Sequence, residues 1–160
     1  MKRLCMTCCA LICLLLGCSD SESVTIKIKT DKKRMAEIEC CSNLKQIGTA
    51  LWMYLCDNGR FPTSSDMNND AFLKKLSEYE GPLIFKCNEK ASENYRFFLN
   101  GESEDIDKNN PSETIIAICD KHKNNVNVLF ADGHVQTVDK NAVNAAIENA
   151  QTGKMPVLKE

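Results

Sequence analysis

The sequence predicts an α+β domain, one long N-terminal helix packed on a small antiparallel sheet with short additional helices. Three observations lead there. Apolar residues recur at three- and four-residue steps over one long early stretch. Short segments rich in β-branched and aromatic residues crowd the second half. Asp132-Gly133 separates the last two of those segments, a strong hairpin signal. At 160 residues, 26% charged and 43% hydrophobic, the chain has the make-up of one globular domain with appendages. That composition excludes a polytopic membrane protein and wholesale disorder. A net charge of -2 offers no basic excess to hold a phosphate backbone, so nucleic acid is not an expected partner.

Met1-Lys2-Arg3 is a short basic start, and residues 4–16 carry no charge. That apolar run spans roughly 20 Å as a helix, too short for a hydrocarbon core of roughly 30 Å. Residues 1–17 therefore read as a secretory signal peptide. Residues 18–30 form a tether, polar at first. Val24-Thr25-Ile26-Lys27-Ile28-Lys29 then alternates with period two, an extended strand or a simple spacer.

The domain itself is expected over 31–150, followed by a polar tail at 151–160. Met35, Ile38, Cys41, Leu44, Ile47, Leu51 and Tyr54 or Leu55 share one helical face. Asn58-Gly59, with Pro62 beyond, stops that helix. A shorter helix is expected over 69–79, with Phe72, Leu73 and Leu76 inward and Gly81-Pro82 at its end. Strands are expected at 83–87, 95–99, 114–119, 126–130 and 134–138. Asp132-Gly133 predicts a type I′ turn, which needs positive φ at both positions. Asp139 caps a final short helix with Val143, Ile147 and Ala150 on one face.

Leu15-Leu16-Gly17-Cys18 resembles the lipobox of bacterial lipoproteins. The resemblance implies lipidation of Cys18, which becomes the mature N-terminus and joins the chain to a membrane. Acyl chains anchor at about 0.8 kcal/mol per buried methylene. Ser19 resembles the pattern sorted to an outer membrane, so the expected location is the cell envelope, lipid-anchored and outward-facing, at the outer membrane in preference to the inner. Losing residues 1–17 removes Lys2 and Arg3 from the 20 basic residues and none of the 22 acidic ones, so the charge moves from -2 to -4. In that oxidising compartment Cys40, Cys41, Cys56, Cys87 and Cys119 remain, an odd number. No two of them are spaced Cys-x-x-Cys and the chain has only 2 His, so neither a zinc ribbon nor a thioredoxin-like redox site is expected.

Cys40-Cys41-Ser42-Asn43-Leu44-Lys45-Gln46-Ile47-Gly48, continuing to Asp57-Asn58-Gly59-Arg60-Phe61-Pro62, resembles the helix and first loop of type II secretion pseudopilins. It is closer to the prepilin-type proteins of planctomycete- and lentisphaera-like bacteria, marked by His, nine residues and Asp-Gly. Here His122 precedes Asp132-Gly133 at that spacing, extended by His134. The resemblance covers about residues 35–138 and implies a pilin-like fold without bringing a known activity. The chain departs from the family in having a lipobox and polar tether where members carry a prepilin peptide and a continuous apolar helix.

The same resemblance suggests a Cys40–Cys87 disulfide, since relatives often carry a second Cys near the Phe85-Lys86-Cys87 position; the alternative is that all five thiols are reduced. Cys41, on the apolar stripe, is expected to pack like a small aliphatic residue. Around the His-Asp-Gly motif three readings stand side by side. Asp132 fixes the turn and His122 hydrogen-bonds to it; or Asp120, Asp132 and nearby carbonyls hold calcium; or Asp120, His122, Asp132 and His134 ligate a transition metal. No cofactor is required by any motif. No Gly-rich phosphate loop, nucleophile elbow or nucleophile–base pair has a signature, so no enzyme is expected. The expected function is a non-enzymatic, membrane-anchored envelope lipoprotein whose pseudopilin-like head contacts secretion or pilus-like proteins. The alternatives are a metal-binding envelope enzyme using His122, Asp132 and His134, and a surface-display module without a specific partner.

Overall fold

The structure is a computed structural model, described over residues 21–87, 94–102, 106, 110–122, 125–150 and 152–159. The first helix, α1, is Ser21–Asn58, 38 residues long. The expected strand or spacer at 24–29 is therefore helical: Lys-rich sequence without Gly or Pro tolerates the helix, and period-two alternation alone does not hold a strand without a partner. The chain divides into two units, Met1–Lys32 and Lys33–Glu160, and the core described below belongs to the second.

Within that unit the buried face of α1 is Cys40, Asn43, Leu44, Ile47, Ala50, Leu51 and Tyr54. The expected stripe holds from Leu44 onward and slips before it. Met35 and Ile38 are 55% and 54% exposed, and Cys40, not Cys41, points into the core. Gly59 ends the helix with φ 70, and its N–H donates to Leu55 O at 2.8 Å.

A 3-10 turn at Asp66–Asn68 leads into α2, Asp70–Glu80. Asn69 caps α2 by accepting from the Ala71 and Phe72 N–H groups, and Gly81 closes it with φ 88. The sheet is an antiparallel meander of β1 (Arg96–Phe97), β2 (Ile115–Cys119), β3 (Asn125–Phe130) and β4 (Val135–Asp139), in that spatial order. Among the described residues, the expected strand at 83–87 is reduced to a single bridge, Lys86 with Asn94, with the Tyr95 N–H donating to Phe85 O at 3.1 Å. The last helix, α3, is Lys140–Asn149, with Asp139 accepting from the Asn141 and Ala142 N–H groups.

All five residues of β2 are buried. Side chains of a strand alternate between its two faces, and the register irregularity between Ile115 and Ala117 goes with Ile116 and Ala117 entering the same core. Ile116, Ala117 and Cys119 join the core containing the α1 residues; Ile115 and Ile118 join Val126, Val128, Phe130 and the α3 residues Val143 and Ala146. The expected polar tail is also packed. Met155 is buried, Val157 bridges Thr114, and the Ile115 N–H donates to Pro156 O at 2.8 Å.

Candidate functional site

Four residues from separate parts of the fold meet beneath the sheet. Cys40 comes from the buried face of α1, Cys87 from the segment after the Lys86–Asn94 bridge, and Cys119 from the end of β2. His122 follows Cys119 by three positions, where the chain turns toward β3. Cys40, Cys87 and Cys119 are 0% exposed and His122 is 2% exposed. One potential ligand atom from each lies within 4.8 Å of all the others. Among the described residues, no disulfide joins any pair of cysteines; the Cys40–Cys87 bridge expected from sequence is not formed, although both residues stand in this group. Three mutually close thiols leave the Cys40–Cys87 pair no exclusive claim on each other.

The Sγ of Cys119 is 3.7 Å from His122 Nε2, and the Sγ of Cys40 is 3.4 Å from the Tyr95 hydroxyl. Asn43 Nδ2 donates to that hydroxyl at 3.4 Å. The Cys119 hydrogen bond, more than any other influence, holds the Cys40 thiol down to about 5 against its burial, with Tyr95 and His122 adding to the effect. Cys119 is pushed far up, first by that same hydrogen bond and then by burial. Tyr95 is pushed up by burial and by its contact with Cys40. That one hydrogen bond favours ionisation at Cys40 and disfavours it at Cys119.

The other residues expected to form a site lie elsewhere. Asp132, Gly133 and His134 make the β3–β4 hairpin. Gly133 N–H donates to Phe130 O at 2.9 Å and Gly133 has φ 88, so Ala131 and Asp132 are the central turn residues. This is a three-residue loop with Gly in the left-handed position, not the expected two-residue type I′ turn, and Asp132 needs no positive φ. Asp132 Oδ1 accepts from the His134 N–H at 3.0 Å and lies 2.6 Å from His134 Nδ1, while the His134 ring stacks on Phe130 with centroids 4.3 Å apart. Asp120 lies 2.9 Å from Lys121 Nζ and 3.7 Å from Arg96. Burial raises its carboxyl, but Lys121 and Arg96 more than offset that and hold it below the usual range. Asp120, His122, Asp132 and His134 thus do not gather as one ligand set: among the described residues, the potential metal-binding group is Cys40, Cys87, Cys119 and His122. Cys18 lies outside the described residues. None of the described helices is long and apolar enough to cross a membrane.

Family models, curated proteins and solved structures give no match to this chain.

Cys-x-x-Cys spacing does not reveal this group. The local signal was present in another form, Cys119-Asp120-Lys121-His122, a Cys and a His at the two-residue spacing that zinc sites use. Cys40 and Cys87 stand too far away in sequence for spacing to reveal them. Chemically, the group offers three sulfurs and one imidazole nitrogen, all on buried side chains. Such a set binds a soft or borderline ion or stores reduced thiols; it presents no open face to a substrate.

Proposed function

We propose that this chain is a cell-envelope lipoprotein, anchored by lipid on Cys18 and facing outward, whose pseudopilin-like head has a non-enzymatic interaction or assembly role alongside secretion or pilus-like proteins. The observation that carries the proposal is the exposure of Met35 and Ile38. They stand three residues apart on α1, so their side chains are neighbours, and each is more than half exposed. From Cys40 onward the same helix buries its apolar face. Two adjacent large apolar side chains left uncovered favour a contact surface over a display module without a partner. The long helix laid on an antiparallel meander is consistent with a pilin-like head. His122 is buried with three cysteines while Asp132 and His134 pair with each other on the hairpin, an arrangement that favours the non-enzymatic reading.

The test has two arms. Labelled palmitate should enter the wild-type chain and fail to enter Cys18→Ala, which should lose its membrane association. A photoreactive residue at position 38 should give one discrete cross-linked protein band in cells, absent when the probe is placed at exposed Lys75. Cross-linking to lipid alone, or no product at position 38, would sink the protein-interaction role.

A further inference from the structure

We propose that Cys40, Cys87, Cys119 and His122 bind a single zinc ion as a closed, four-ligand structural site. The proposal is independent of the envelope role above.

Geometry supports it first. In a tetrahedral zinc site, Zn–S near 2.3 Å and Zn–N near 2.0 Å place ligand atoms about 3.5–3.8 Å from one another. The Cys119 Sγ to His122 Nε2 separation is 3.7 Å, and all four ligand atoms lie within 4.8 Å of each other. An ion would draw the outermost members together by no more than about 1 Å. Nε2 faces the sulfur, so the neutral imidazole would ligate through Nε2 with the proton on Nδ1.

Donor chemistry chooses the ion. Three thiolates and an imidazole select a soft or borderline metal and reject calcium and magnesium, which require oxygen. Zinc takes four such ligands without redox demands or a preferred distortion. The count also argues against a disulfide as the purpose of the cluster. Any bridge uses two of the three sulfurs and leaves one buried thiol beside an imidazole, whereas a four-coordinate ion uses every member.

The surroundings complete the shell. The Tyr95 hydroxyl stands 3.4 Å from Cys40 Sγ and can donate to it once the sulfur is a thiolate, and Asn43 holds that hydroxyl in place. A backbone hydrogen bond from Lys121 reaches Cys119 within the Cys-x-x-His turn. Such partners orient ligands and spread the charge of a thiolate-rich centre. With all four residues buried, no coordination position opens to solvent, which makes the ion a fastener and not a catalyst.

The test uses the full chain, purified in detergent with reductant, and elemental analysis of the protein as isolated. One equivalent of zinc per chain is expected. Replacing it with cobalt should produce the visible absorption of a tetrahedral ion together with thiolate-to-metal charge transfer. Cys119→Ser should lose at least ten-fold in zinc affinity, and Cys56→Ser, at an exposed position, should keep wild-type stoichiometry. Should Cys119→Ser fail to fold, His122→Cys supplies a fourth sulfur from the same sequence position and should retain one equivalent with a spectrum shifted toward all-sulfur coordination. Absence of metal with zinc supplied, a disulfide within Cys40, Cys87 and Cys119, a cobalt spectrum lacking the thiolate band, or another metal in the isolated protein would each overturn the assignment.

Discussion

At the scale of single residues, two polar side chains hold more than their size suggests. Asn127 is buried; its Nδ2 donates to the Glu37 carbonyl on α1 at 3.2 Å, and its Oδ1 accepts from Thr137 Oγ1 at 2.9 Å. It pins helix, β3 and β4 together. Asn127→Ala removes the acceptor of the Thr137 hydroxyl and the donor to the Glu37 carbonyl, so a loss of about 1–3 kcal/mol is expected in urea unfolding, with an unchanged m-value. Asp66 accepts from both the N–H and the hydroxyl of Thr63, each at 2.8 Å. Those two bonds, the backbone one first, hold its carboxyl below the ordinary aspartate value. A folded-state value below the unfolded one contributes stability above the unfolded pKa, about 3.9, and that contribution fades as pH falls through the folded value. Asp66→Asn should therefore be less stable than wild type at neutral pH. The gap should close in strong acid, as denaturant melts at stepped pH would show; a gap independent of pH would assign the effect to packing.

At the scale of elements, α1 shows what periodicity can and cannot read. From Leu44 to Tyr54 the buried positions follow the three- and four-residue steps that the sequence marks, although Trp52 and Met53 stay exposed on the other side. At Cys40-Cys41 both neighbours are apolar, and Met35 and Ile38 pull the fitted stripe one residue round the helix; which face is covered depends on where the sheet stops. The strand expected at 83–87 has the right residue types, but a ladder is a property of two segments, and propensity sees one. Gly48 illustrates a contact no helical pattern encodes. A Cβ there would stand 2.9 Å from Leu129 Cδ1 and 3.8 Å from the Gly133 backbone, so the glycine lets α1 approach the hairpin closely. Alanine gains about 1 kcal/mol of helix propensity and loses a similar amount to crowding, so Gly48→Ala should be nearly neutral. Gly48→Val cannot retreat and should cost about 2 kcal/mol, measured by thermal melting; equal melts for the two variants would mean that Leu129 moves aside freely.

At the scale of the whole molecule, the candidate metal group draws on positions 40, 87, 119 and 122, and so on α1, the segment after α2 and the end of β2. This is why it escaped a reading by spacing. Only Cys119 and His122 are neighbours in sequence, and the other two arrive through the packing of α1 and of the segment after α2. An ion bound there stabilises only the assembled state. Midpoints of thermal unfolding should rise with zinc concentration, by about 4 kcal/mol in stability at a thousand times the dissociation constant, and chelation under reductant should reverse the rise. His122→Ala should flatten the response. A response that survives His122→Ala would place the ion elsewhere.

The double-sided burial of β2 carries a cost before the molecule is folded. Ile115-Ile116-Ala117-Ile118-Cys119 contains no charge, no proline and no glycine, and three of its five residues are isoleucine. In an unfolded chain that pentapeptide is the kind of segment that stacks with its copies into cross-β aggregates. Glu113 stands two positions before it and Asp120-Lys121 directly after it, charges that serve as gatekeepers against intermolecular strand addition. A sequence that commits its central strand to two cores thus has to guard that strand during every interval in which neither core yet exists.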